Sequence, residues 1–174
     1  MRTALPRVLA LWLACAAAAP SPTLASEYPL DQVVVLIPRV DAHRLRRAGI
    51  ANTLDLLTYG RTAAGRDLLA RRSGLSVERI DAWTALADLM RVRGIGPDVA
   101  RLLTAVGVRT IADLQRCDPV ATATAIRDVN KARRLSPNPP RAESLAYWID
   151  LSRALPIVFE LRVAAAVGAS PVPR

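Results

Sequence analysis

The chain has 174 residues, 52% of them apolar, and a formal charge of +9. That apolar content excludes a disordered chain, which combines low hydrophobicity with high charge, and the length suits one ordinary domain or two very small ones sharing a core. The basic balance favours polyanions such as nucleic acid or an anionic membrane face. An alanine- and arginine-rich chain with a single lysine, Lys131, is also what a GC-rich coding sequence produces.

Residues 1–26 read as a signal peptide. Arg2 and Arg7 precede an uncharged apolar run at 8–19, and Thr23-Leu24-Ala25 offers a small-x-Ala cleavage site. About a dozen apolar residues cannot cross a hydrocarbon core that needs ~20, so cleavage near Ala25 and a periplasmic or secreted mature protein are expected. Loss of Arg2 and Arg7, with no acidic residue, leaves +7. Cys15 follows Trp12-Leu13-Ala14, close to the lipoprotein pattern, and acylation there is the one route to a membrane in this reading. Cys117, the other cysteine, has nothing to pair with and is expected to be buried and inert.

Periodicity beyond the signal is helical almost throughout, which predicts an all-α chain of roughly eight to ten short helices. After a lead-in at 27–33, the run Val33-Val34-Val35-Leu36-Ile37 has no second β-rich segment to pair with and reads as a short helix. A helical stretch with Arg44, Arg46 and Arg47 follows and carries His43, the only histidine, so no His-rich metal site and no Ser-His-Asp triad can be assembled. Ser76 is a good N-cap for a helix over 77–91, whose apolar residues Ile80, Trp83, Leu86, Leu89 and Met90 share a face and leave Glu78, Asp81 and Asp88 largely outside. Gly94-Ile95-Gly96-Pro97 breaks it. Pro97 suits the first turn of the next helix, which buries Val99, Ala100, Leu102 and Leu103 and ends at Gly107. Thr110 caps a short helix, Asp118-Pro119 opens another reaching Lys131, Pro137, Pro139 and Pro140 make a rigid connector, and a last amphipathic helix runs over about 141–154. The end, 168–174, has few residues to bury.

The halves resemble each other. Leu45 to Ile50 matches Leu103 to Val108, Thr53 to Leu57 matches Thr110 to Leu114, and the Trp83 helix matches the Trp148 helix. The domain plan is therefore signal 1–26, lead-in 27–33, a first unit at 34–93, a second at 94–155, and a C-terminal helix or tail at 156–174. Trp83 and Trp148 fall on apolar faces and are expected in the core rather than as base-stacking platforms.

The stretch from Arg91 to Leu103, closed by Gly107-Val108, resembles the helix-hairpin-helix motif: glycines for a tight turn, Ile95 as a plug between helices, Ala100 for close helix approach. In the first unit the turn is Leu36-Ile37-Pro38-Arg39, with neither glycine. The layout over about 34–155 resembles the uncharacterised family DUF4332, which implies no activity. The motif implies a phosphate held by backbone N–H groups and a helix N-terminus at Gly94, Ile95, Gly96, Asp98 and Val99, with Arg91, Arg93 and Arg101 beside them. Pro97 donates no hydrogen bond and Asp98 repels phosphate, and both depart from that pattern. Arg44, Arg46 and Arg47, with Arg133, Arg134 and Arg141, form a candidate basic surface. No catalytic residue, metal, cofactor or small-molecule substrate is inferred. Two functions stand side by side, weak, sequence-independent DNA binding and docking of an envelope protein by a non-enzymatic adaptor, with binding of an anionic envelope surface by the same arginines as a third.

Overall fold

The computed structural model describes residues 27–160, which form eight helices: α1 (Arg39–Arg47), α2 (Thr53–Gly60), α3 (Ala63–Ser73), α4 (Val77–Leu89), α5 (Pro97–Ala105), α6 (Ile111–Leu114), α7 (Pro119–Arg133) and α8 (Ala142–Arg153). No strand occurs among the described residues; Pro29 and Asn52 make an isolated bridge. The fold is all-α, as the periodicity predicts. The segment expected to be a signal peptide, with Cys15, and the end at 168–174 lie outside the described residues.

Side-chain caps fix five helix starts, each taking up a backbone N–H that the first turn leaves without a partner. Asn52 accepts from Asp55, Thr62 from Gly65, Ser76 from Arg79, Thr110 from Asp113 and Asp118 from Ala121. Helices α1, α5 and α8 begin at Pro38, Gly96 and Arg141 without such a bond.

The second four helices repeat the order of the first. Ile50 N donates to Leu45 O and Val108 N to Leu103 O, both at 3.0 Å, across a glycine of positive φ, +87° at Gly49 and +91° at Gly107. Ala51 N donates to Asp55 Oδ2 at 2.9 Å, as Arg109 N does to Asp113 Oδ2 at 3.1 Å. Helix α1 packs on α3, α2 on α4 and α3 on α4, while α5 packs on α7, α6 on α8 and α7 on α8. Helix α4 also touches α5 and α6, so it joins the halves. That is why every residue from Trp83 to Leu89 is buried, where a surface helix would bury one face.

The C-terminal segment returns to the first half and is held there by a buried cation. Arg66 on α3 has no solvent exposure. Its Nε donates to Asp81, Nη1 to Gly60 O at 2.9 Å and Arg61 O at 3.2 Å, and Nη2 to Glu160 O at 2.8 Å. The guanidinium also lies 4.7 Å from the centroid of Phe159, and Glu160 N donates to Arg61 O at 2.8 Å. A planar group with five donors can satisfy this many acceptors at once, whereas an ammonium has three.

Three expectations change. Residues 33–37 make one turn, with Leu36 N and Ile37 N both donating to Val33 O, and not a helix. Pro38 stops it, because it donates no N–H and disfavours helical backbone at Ile37. Asp88, expected outside, is 1% exposed, because α5 and α6 cover the side of α4 that a lone helix would leave to water. Cys117 is half-buried, its Sγ 3.3 Å from Asp113 O. Residues 156–160 are non-helical.

Replacing Arg66 with methionine should lower unfolding stability by about 2–4 kcal/mol, because three carbonyl acceptors and the part-exposed Asp81 lose their cation. Arg66→Lys should recover less than half of that loss. Urea unfolding of the three proteins measures both values, and a near-neutral Arg66→Met would remove the clamp from the account of stability.

Candidate polyanion-binding groove

The turn before α5 is built as the sequence predicts, but its parts are used differently. Ile95 is fully buried and its N–H donates to Val92 O at 2.9 Å. Ala100 is fully buried. Gly94 has φ +97°, and a Cβ there would stand 2.7 Å from Trp148 Nε1. The glycine thus makes room for the α8 indole as well as for the turn. In the first half Trp83, also from the fourth helix, donates its Nε1 to Leu36 O at 3.1 Å. Trp83 is buried, as expected of a core residue, while Trp148 is half-buried and shows one side to a groove. Near Gly96 stands the hydroxyl of Tyr28 from the lead-in.

The arginines divide. Arg91 is only 8% exposed and donates Nη1 to Asp88 Oδ1 at 2.9 Å and to Pro156 O at 3.1 Å, so it is a structural group and not a phosphate ligand. Its place is a consequence of α4 ending at Leu89, which turns residues 90–92 into the core. Arg101 is half-buried, donates to Leu135 O and lies 3.9 Å from Asp98, which at 55% side-chain exposure meets solvent. Arg93 is exposed beside Gly94.

Asp88 Oδ1 receives Arg91 and Oδ2 receives Ile111 N at 2.9 Å, so one carboxylate ties α4 to the start of α6. Burial pushes its carboxyl above the ordinary carboxylate range, against the hydrogen bonds from Ile111 and Arg91 that favour the charged form.

A groove of about 910 Å³ opens next to the turn. Its walls are Val99 on α5, Val120, Ala123, Thr124 and Arg127 on α7, the 137–140 connector, and Arg141 with the first turn of α8 and Trp148. It meets the starts of α5 and α8, two of the three helices without a side-chain cap. The N–H groups of Asp98 and Val99, and those of Glu143 and Ser144, have no hydrogen-bond partner among the described residues. Unpaired donors at two helix N-termini carry partial positive charge and suit an anion. Two acids oppose it, Asp98 and Glu143, each in the first turn of its helix.

Of the candidate basic surface, Arg141 lies on the groove. Arg133 and Arg134 are exposed at the end of α7, with Arg134 at φ +48°, and Arg44, Arg46 and Arg47 are exposed on α1, in the other half. Arg127 belongs to the groove and was not singled out by the sequence, although its spacing of four from Ala123 on the helix opened by Asp118-Pro119 puts it on that wall.

Residues 36–155 match the model of a family described as Domain of unknown function (DUF4332). No curated protein and no solved structure matches the chain.

Gly94→Ala should destabilise by about 1–3 kcal/mol, because it forces a side chain into left-handed backbone and against Trp148, and should shift the Trp148 fluorescence on a Trp12→Phe, Trp83→Phe background. An unchanged spectrum and stability would remove Trp148 as the reason for the glycine. For Asp88 the linkage has a definite sign. Between 3.8 and its raised folded value the folded protein holds more protons than the unfolded chain, so this group's contribution is largest in acid and declines as pH rises through the raised value. Asp88→Asn should flatten that component of the stability-pH profile. Asp88→Ala should cost a further 1–3 kcal/mol or so, since the remaining acceptor is also lost. Equal slopes in wild type and Asp88→Asn would contradict the assignment.

Proposed function

The chain belongs to the DUF4332 family, and because that family is of unknown function we propose a role from the groove: an exported, non-catalytic module of two helix-hairpin-helix units, the second of which contacts nucleic acid without reading its sequence. The observation that carries this reading is the meeting of two uncapped helix starts, α5 and α8, at a groove that also bears Arg127 and Arg141. Backbone N–H groups there hold a phosphate, arginines add attraction along the strand, and nothing in the set distinguishes one base from another. The half-buried Trp148 offers an apolar face at the same place. The tandem reading is supported by the matched turns, aspartate bonds and tryptophans of the two halves. Export rests on the composition of residues 1–26.

The second reading, an envelope-protein adaptor, draws on the groove's apolar wall. Val99, Ala123 and the connector prolines line it, and Val120 is 63% exposed. A polypeptide would satisfy that wall better than a sugar-phosphate chain.

Filter binding of duplex and single-stranded DNA across a salt series tests the proposal. Dissociation constants on the order of 10⁻⁴ to 10⁻⁶ M at physiological salt are expected, falling steeply in strength as salt rises. Arg127→Ala with Arg141→Ala should reduce the slope of log K against log salt by about 2. Absence of binding at low salt overturns the nucleic-acid reading. The adaptor reading gains if, in addition, a stoichiometric envelope protein copurifies with wild type and is lost from Val120→Asp.

A further inference from the structure

Among the described residues the outer face of α1 is exposed. Helix α1 packs on α3 and is tied to α4 by the Arg79–Asp41 ion pair, whereas its counterpart α5 packs on both α4 and α7. It buries Asp41, Ala42 and Leu45, and it turns Arg39, Val40, His43, Arg44, Arg46 and Arg47 to solvent. Four of these are arginines. The acidic residue of this helix, Asp41, is 2% exposed and receives Arg79 Nη1 at 2.9 Å, with Arg44 at 3.9 Å, so two cations share its one charge. Spacing of four and seven aligns Val40 with Arg44 and Arg47, and Arg39 with His43 and Arg46, in adjacent stripes.

Exposed apolar side chains stand at the start of α1 and on the turn just before it. Val34 is 38% exposed, Val35 48% and Val40 61%. Two sit on the single turn at 33–37, and one is in the first turn of α1. In the second half the residues at the matching places are Val92, which is buried, and Arg93 and Asp98, which are exposed and charged. At two of the three places the first unit therefore carries an exposed valine where the second carries a charge, and at the third an exposed valine where the second has a buried one. Asp31 is the exposed acid nearest in sequence, on the turn that precedes the valines.

An exposed apolar segment leading into a helix that exposes four arginines and no carboxylate is matched to a bilayer. The apolar segment needs an apolar phase and the arginines need phosphate, and the two are stacked in that order at a membrane interface. Arginine stems reach headgroups while the apolar segment lies deeper. A nucleic-acid strand offers the phosphates but no layer for three valines. We propose that the first hairpin turn and α1 form a docking surface for anionic phospholipid, with Val34, Val35 and Val40 entering the interface and Arg39, Arg44, Arg46 and Arg47 pairing with lipid phosphates. This surface is separate from the α5–α8 groove and does not depend on what that groove binds.

Vesicle cosedimentation of the full chain tests it, comparing phosphatidylcholine alone with phosphatidylcholine containing phosphatidylglycerol. Any contribution of residues 1–26 is common to all variants and cancels in their ratios. Val34→Ser with Val35→Ser and Val40→Ser should lower partitioning to anionic vesicles roughly tenfold or more. Arg39→Gln with Arg46→Gln and Arg47→Gln should lower it by about fivefold per arginine and abolish the preference for phosphatidylglycerol. Arg127→Gln with Arg141→Gln, in the groove, should partition like wild type, and circular dichroism should show all variants folded. Equal partitioning of wild type and the serine variant overturns the proposal, as does binding indifferent to phosphatidylglycerol.

Discussion

A guanidinium removed from water must have its donors met by the protein, and in this chain that requirement draws distant segments together. Arg66 takes acceptors from the end of α2, from α4 and from Glu160, with Phe159 against its face. None of those groups could leave without stranding a buried charge. Arg91 applies the same constraint at the other end of α4, where Asp88 and Pro156 O hold it. The C-terminal segment is thus pinned at both 156 and 160, and α4 is the helix from which both arginines' carboxylate partners, Asp81 and Asp88, arise.

Around that spine the halves are alike in local bonding and unlike in surroundings. The glycine turn after the first helix, the first-turn aspartate of the second that accepts the N–H just before its cap, and the tryptophan set against the turn recur. Burial differs because α5 is packed on two sides and α1 on one. Arg44 is exposed while Leu102, at the matching place, is fully buried. The repeated scaffold leaves different surfaces free: a groove beside the second turn, an outer helix face beside the first.

The parts legible in the sequence were those set by neighbours along the chain. Ser76, Thr110 and Asp118 cap helices where they were expected to, because capping is a contact within three residues. Gly94 and Ile95 keep their places in the turn for the same reason. Periodicity misjudged Asp88, since it assigns one inside face per helix and cannot know that α4 is surrounded. Arg91 was read as a phosphate ligand because charge usually stays at the surface; its partners include a carbonyl 65 residues away, which no local pattern encodes. Arg127 was missed because the groove exists only once α7, the connector and α8 have come together. The turn at 33–37 was a matter of reading its end, as Pro38 was present in the sequence and sufficient to stop a helix.

The pinning of Glu160 also sets an order of events. A chain made from its N-terminus completes α1 to α4 well before residue 160 exists, and until then Arg66 lacks the carbonyl that satisfies its Nη2. The first half therefore cannot reach its final burial by itself during synthesis, and closure awaits nearly the whole described chain. Long-range contacts of this kind slow folding relative to local ones. On the export proposed above, late closure would be an advantage, because the chain could stay open until the segment around Glu160 has been made.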